Sequence, residues 1–302
     1  MQDVLTRAGC FVAIIVLGFV LKRLGLFKES DFSVLSTIVL KITLPAAIIT
    51  NFANKELDPS MFVLTLLGVL CGAVYIVLGF LLNLKSNKEQ RAFDILNLPG
   101  YNIGCFALPF VQSFLGPTGV IATCLFDIGN GFICLGTAFS IAVMVKDGGR
   151  FSLKRVLSTL RKSIPFILYV VMPILCLAHI SIPMPITSFA GIIGNANAFM
   201  AMFMIGVGFK ISADKTQIGR IVKILAVRFG VAALIAVCFY MFLPFASEIR
   251  KTLVLLVFSP VGAAVPAFTS QLKGDVGLSS AINSLTIICS IIMMVSLLAV
   301  IP

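Results

Sequence analysis

The chain has 302 residues, of which 59% are apolar and only 12% charged, and its mean hydropathy is +1.11. Soluble domains run at about 45–50% apolar and about 25% charged, so a soluble globule is excluded and the composition is that of an all-α polytopic membrane protein. The net charge of +11 is not a nucleic-acid signal, because the basic residues sit in short loops between apolar runs.

Ten apolar segments follow one another in chain order: 8–26, 34–51, 61–84, 94–115, 118–145, 164–180, 186–209, 221–243, 251–272 and 276–301. A membrane-spanning helix needs about 20 apolar residues, so each is a candidate span, the sixth being short. In the first segment Lys22 and Arg23 follow the apolar run instead of preceding it, which is the wrong charge order for a cleaved signal peptide. The loops after segments 1, 3, 5, 7 and 9 hold seventeen Lys and Arg. The termini and the other loops hold four: Arg7, Lys55, Arg250 and Lys251. Basic residues mark the cytoplasmic side. The expected placement is therefore multi-pass in the cell (inner) membrane, with both termini non-cytoplasmic.

The longest basic loop divides the chain into a first five-span unit (1–146), a cytoplasmic linker (147–163) and a second five-span unit (164–302). An odd number of spans per unit makes the second enter from the opposite side, which is the arithmetic of an inverted repeat. Segments 4 and 9, each the fourth of its unit, are interrupted by Pro and Gly. One reads NLPGYNIGCFALP over 97–109, the other SPVGAAVP over 259–266. After them, PFVQSFLGPTG (109–119) is similar to PAFTSQLKGDVG (266–277), with one residue inserted. Proline removes an N–H and clashes with the preceding turn, so both segments are expected to unwind between their prolines. Unwound backbone at membrane depth is tolerated only where protein or a watery cavity covers it, and it exposes carbonyls and helix N-termini to a ligand. The residues at the two interruptions, Asn97, Pro99, Asn102, Pro109, Pro260, Gly262 and Pro266, are the candidate substrate site.

Ionisable residues within spans are costly and mark function. Asp127 is the one acid well inside a segment, and Lys41 and Arg228 are the two embedded bases. With Asn130 they are candidates for coupling or charge support, and a Lys41–Asp127 pair is expected because each charge neutralises the other. The eight cysteines lie in apolar runs and His179 is the single histidine, so neither a metal site, a cofactor nor a disulfide framework is expected. Intramembrane hydrolysis needs paired acids, a Ser–His pair or a histidine cluster. No such set is present and no catalytic residue is assigned. No G-x-x-x-x-G-K-[ST] occurs, which argues against a resident ATPase.

Several stretches together resemble the auxin efflux carrier family of permeases. They are KITLPAAII at 41–49, the interrupted stretch ending Ala107-Leu-Pro109 with Gly116 after it, Asp127-x-x-Asn130, the stretch 195–208, Arg228, and 259–266 running on to Asp275. The resemblance implies ten helices in two inverted five-helix repeats, broken helices 4 and 9 crossing at their prolines, and a transport domain that moves elevator-fashion against a scaffold. It also implies small organic anions, carboxylates such as malonate or malate, as substrate, and a homodimer through scaffold helices; membrane lipid is the other expected contact. The same fold is similar to the sodium/bile acid symporters, which makes a sodium-coupled solute symporter the alternative. The set of membrane-embedded acids is poor for two sodium sites.

Overall fold

The computed structural model describes residues 2–210 and 214–300, and among these every regular element is helical. In chain order the helices begin with α1 (Gln2–Arg23), α2 (Asp31–Ile38), α3 (Leu44–Phe52), α4 (Val63–Leu81), α5 (Lys88–Asn97), α6 (Leu108–Phe114), α7 (Pro117–Phe132) and α8 (Ala138–Asp147). After it come α9 (Leu153–Leu160), α10 (Ile164–Leu177), α11 (Met184–Asn195), α12 (Asn197–Gly208), α13 (Ile218–Phe242), α14 (Ser247–Val257), α15 (Val265–Gln271) and α16 (Val276–Val300).

Among the described residues, seven helical stretches are long and apolar enough to cross a membrane, or eight if α9 and α10, bent 82° from each other, form one span. This is a multi-span membrane protein. Expected segments 4 and 9 are absent from that set because each is broken. The first is divided into α5 and the helix Ile103–Phe114, the second into α14 and α15. Large apolar side chains such as Leu66, Leu234 and Phe242 point outward from the long helices, as they do where lipid is the solvent.

Wide π-turns at Val39–Thr43 and Ile103–Ala107 each lead into a Leu-Pro step, at Pro45 and Pro109. Proline four residues into a regular helix meets the carbonyl behind it; the extra residue of a π-turn opens that spacing. A third π-turn, Ile133–Thr137, carries no proline. There the Thr137 hydroxyl donates to the Phe132 carbonyl at 2.8 Å.

The helices pack in two groups. In one, α1 lies on α12, and α3 on α10 and α11. In the other, α4 lies on α5 and α7, α5 on α8, α14 on α7 and α13, and α15 on α16. Glycines set the closest approaches. A Cβ on Gly206 would overlap the Ile15 carbonyl, and one on Gly129 would overlap the Thr65 carbonyl, the small-residue contact by which membrane helices pack without a hydrophobic driving force.

The linker is not a plain loop. Ser152 caps α9 by accepting the Arg155 N–H at 3.3 Å, and Val156 and Leu160, one turn apart, are buried among exposed Lys154, Arg155 and Arg161. That i, i+4 apolar pair among basic residues is an amphipathic helix signal.

Candidate functional site

The backbone is non-helical over 98–102 and again over 258–264. The unwinding is shorter than the 99–109 stretch expected. Pro266 sits at the start of α15, where a missing N–H costs no helical bond, and Pro109 follows the π-turn within the helix Ile103–Phe114. The two breaks touch: the Asn102 N–H donates to the Pro260 carbonyl at 2.9 Å. Gly100 has φ +81° in the left-handed region that favours glycine, and a Cβ there would meet Cys134 Sγ at 2.9 Å.

Arg228 of α13 holds both breaks. Its Nη1 donates to the Leu98 carbonyl at 2.5 Å. Its Nη2 donates to the Gly100 carbonyl at 2.9 Å and to the Ser259 carbonyl at 2.8 Å. The guanidinium lies 5.6 Å from the Tyr75 ring centre and 5.1 Å from that of Tyr101, within cation–π range. The Tyr75 hydroxyl donates to the Arg228 carbonyl at 2.8 Å. Arg228 is 1% exposed. Its charge is spread over backbone dipoles and aromatic faces, with no carboxylate against it among the described residues.

An asparagine from the following span braces each break. Asn130 of α7 pairs with both backbone groups of Tyr101, accepting the N–H at 2.8 Å and donating to the carbonyl at 2.8 Å, and also donates to Asp127 Oδ1 at 2.7 Å. Asn283 of α16 donates to the Val261 carbonyl at 3.0 Å, while the Val261 N–H reaches the Thr286 hydroxyl at 3.2 Å. A side-chain amide pairing with a peptide group replaces the helical bonds that the break gives up.

Two cavities flank the contact. The first, about 130 Å³, is lined by Tyr101, Asn102, Asp127, Asn130, Tyr169 and Gly262 among others. The second, about 230 Å³, is lined by Asn102, Lys210, Pro266, Ser280 and Asn283 among others. Asn102, Met204 and Ala263 belong to both.

Of the expected substrate residues, Asn102, Gly262 and Pro266 line a cavity. Pro99, Pro109 and Pro260 shape the breaks without lining either one. Asn97 is turned away: its Oδ1 accepts the Ser279 hydroxyl at 2.5 Å and its Nδ2 donates to Phe93 and Thr269. Of the charge-support set, Asp127 and Asn130 line the first cavity, whereas Lys41 and Arg228 line neither.

The expected Lys41–Asp127 pair is not formed. Lys41 is exposed, and the ion pairs among the described residues are Lys210–Glu29 and Arg220–Asp94. The π-turn at Val39–Thr43 puts Leu40 and Leu44, on either side of Lys41, on the first cavity. Asp94 is a buried acid that the sequence reading passes over. It is held by Arg220 at 2.9 Å and Asn83 at 2.8 Å. Tyr169 was also missed, although one of only four tyrosines in the chain, placed inside an apolar run, is a visible signal.

A family model described as membrane transport protein matches residues 10–150. This is the auxin efflux carrier family. The matched stretch contains the first break, Asp127 and Asn130; Arg228 and the second break lie beyond it. No curated protein matches the chain. The family match and the apolar helices together make this a membrane transport protein, a permease.

Proposed function

We propose that the chain is a secondary transporter of small organic anions whose site is the contact between the two breaks. The single observation that carries this reading is the Asn102–Pro260 hydrogen bond between two unwound segments flanked by cavities. Broken spans at corresponding positions are where secondary transporters bind their cargo. On this reading the two broken stretches and α10 bring the spans to ten, in inverted repeats 1–146 and 164–302 about the linker 147–163. Asn130 and Asn283 support the repeat by their role, each coming from the span after a break and donating to a carbonyl of that break.

The two packed groups of helices are the natural scaffold and transport bodies of an elevator, with the first cavity taking Leu40, Tyr169 and Met204 from one group and both breaks from the other. A homodimer would use the scaffold helices. Proteoliposomes tested with mono- and dicarboxylates should take up at least one of them. Asn102→Leu should reduce that uptake about tenfold or more, the cost of one lost hydrogen bond to a charged ligand. Unchanged uptake in Asn102→Leu would remove the site. Replacing sodium with choline separates the sodium-coupled alternative.

The basic loops support a linker facing the cytoplasm of the cell membrane and termini on the other side. A cysteine replacing Ser152, in a chain freed of its eight cysteines, should resist an impermeant maleimide applied to intact cells and react after lysis. Labelling from outside would invert the topology.

A further inference from the structure

The first cavity combines three observations. It holds a carboxyl group, Asp127, 9% exposed. It receives the start of the helix Ile103–Phe114, with Ile103, Gly104 and Cys105 on its wall. The first N–H groups of a helix have no acceptor within it and attract anions. It is also lined by the Tyr169 hydroxyl, 3% exposed, which lies beside Asp127 yet forms no hydrogen bond of normal geometry. The Asn102 side chain likewise caps nothing.

No Lys, Arg or His lines this cavity among the described residues. The titratable groups facing Asp127 are Cys124 on its own helix, Cys105 and Cys134 from the π-turns Ile103–Ala107 and Ile133–Thr137, and Tyr169 from α10. Tyr101 also lies on the wall, and α4 and α14 contribute no charged group to it. Lys41 faces outward, and both terminal nitrogens of Arg228 are taken by carbonyls.

We propose that the cargo is a monocarboxylate and that it shares one proton with Asp127 in the first cavity. The inference rests on the crossing being the substrate site. Two ionised carboxylates in so small a space repel strongly enough that one takes up a proton. The pair then forms a single charge-assisted acid–carboxylate hydrogen bond. Tyr169, Asn102 and the N–H groups at the start of the 103–114 helix are left to donate to the remaining oxygens. The proton comes from water on the loading side and returns to water on release; no other bond forms or breaks. A dicarboxylate would bring a second charge that nothing in the cavity neutralises, which a buried site does not accommodate.

The test is equilibrium binding of lactate and malonate to the purified full chain between about pH 6.5 and 8.5, where lactate is already ionised. Wild-type affinity for lactate should fall with rising pH, approaching tenfold per unit as one linked proton requires, and malonate should bind at least about tenfold more weakly than lactate. Asp127→Asn, which keeps a donor and loses the titration, should bind lactate with a flat profile. Tyr169→Phe, which leaves Asp127 in place, should weaken lactate several-fold and keep the wild-type slope. Should Asp127→Asn fail to fold, the wild-type slope and Tyr169→Phe still decide. A flat wild-type profile, a slope surviving in Asp127→Asn, or malonate binding as tightly as lactate overturns the shared proton alone. Failure to bind either acid, or binding untouched by Asn102→Leu, overturns the site and this inference together.

Discussion

Arg228→Met should abolish transport and lower the melting temperature more than other single changes in the crossing. The guanidinium satisfies carbonyls of Leu98, Gly100 and Ser259 at once. Methionine fills similar volume and donates nothing. Unsatisfied buried acceptors cost about 1–3 kcal/mol each, and three carbonyls lose their donor at once. Arg228→Lys should recover only part, because a single ammonium lacks the planar fork that spans two carbonyls of one break and one of the other. Tyr75→Phe, which removes one bond to the Arg228 carbonyl, should cost about 1 kcal/mol and leave transport largely intact. The chain has no tryptophan but has buried thiols at Cys71, Cys105, Cys124 and Cys134. A thiol-reactive dye therefore reads unfolding directly. An Arg228→Met protein that melts and transports like wild type would make the clamp incidental.

Asn130→Asp should be nearly as damaging despite its identical shape. Asn130 donates to the Tyr101 carbonyl and to Asp127 while accepting the Tyr101 N–H. An aspartate keeps the acceptor and turns both donated bonds into oxygen–oxygen repulsions, one of them between two buried acids. The expected cost is about 2–4 kcal/mol from two lost bonds with their acceptors left bare, with transport lost at neutral pH. Acidification should restore part of the stability, because a protonated carboxyl regains one donor. A melting temperature equal to wild type across pH would contradict the bracing role given to Asn130.

Seven spans were legible because their apolar runs are long and unbroken. The two breaks were legible because proline and glycine act locally on the chain that carries them. Arg228 stood out as an embedded base, but its role depends on backbone carbonyls 130 and 31 residues away. Every residue has a carbonyl, so such partners leave no mark in a sequence. Lys41 and Asp127 looked paired by depth alone. The π-turn before Pro45 and the direction each side chain takes from its helix decide otherwise, and neither is written in residue spacing. Asn97 read as a site residue by its nearness to Pro99, yet it sits at the end of α5 and faces Thr269 and Ser279.

The Arg228 clamp also sets an order of events during synthesis. The carbonyls of 98–100 leave the ribosome 128 to 130 residues ahead of the side chain that satisfies them. At about 5–20 residues per second, that interval is roughly 6–26 s. Through it the peptide groups of Tyr101 are held by Asn130, which follows within some 30 residues, while the Leu98 and Gly100 carbonyls wait for their donor. The first break is therefore unfinished when it enters the bilayer. Insertion machinery has to shelter that segment until α13 arrives, and a chain stopped before Arg228 would be a substrate for membrane proteolysis and not a half-transporter.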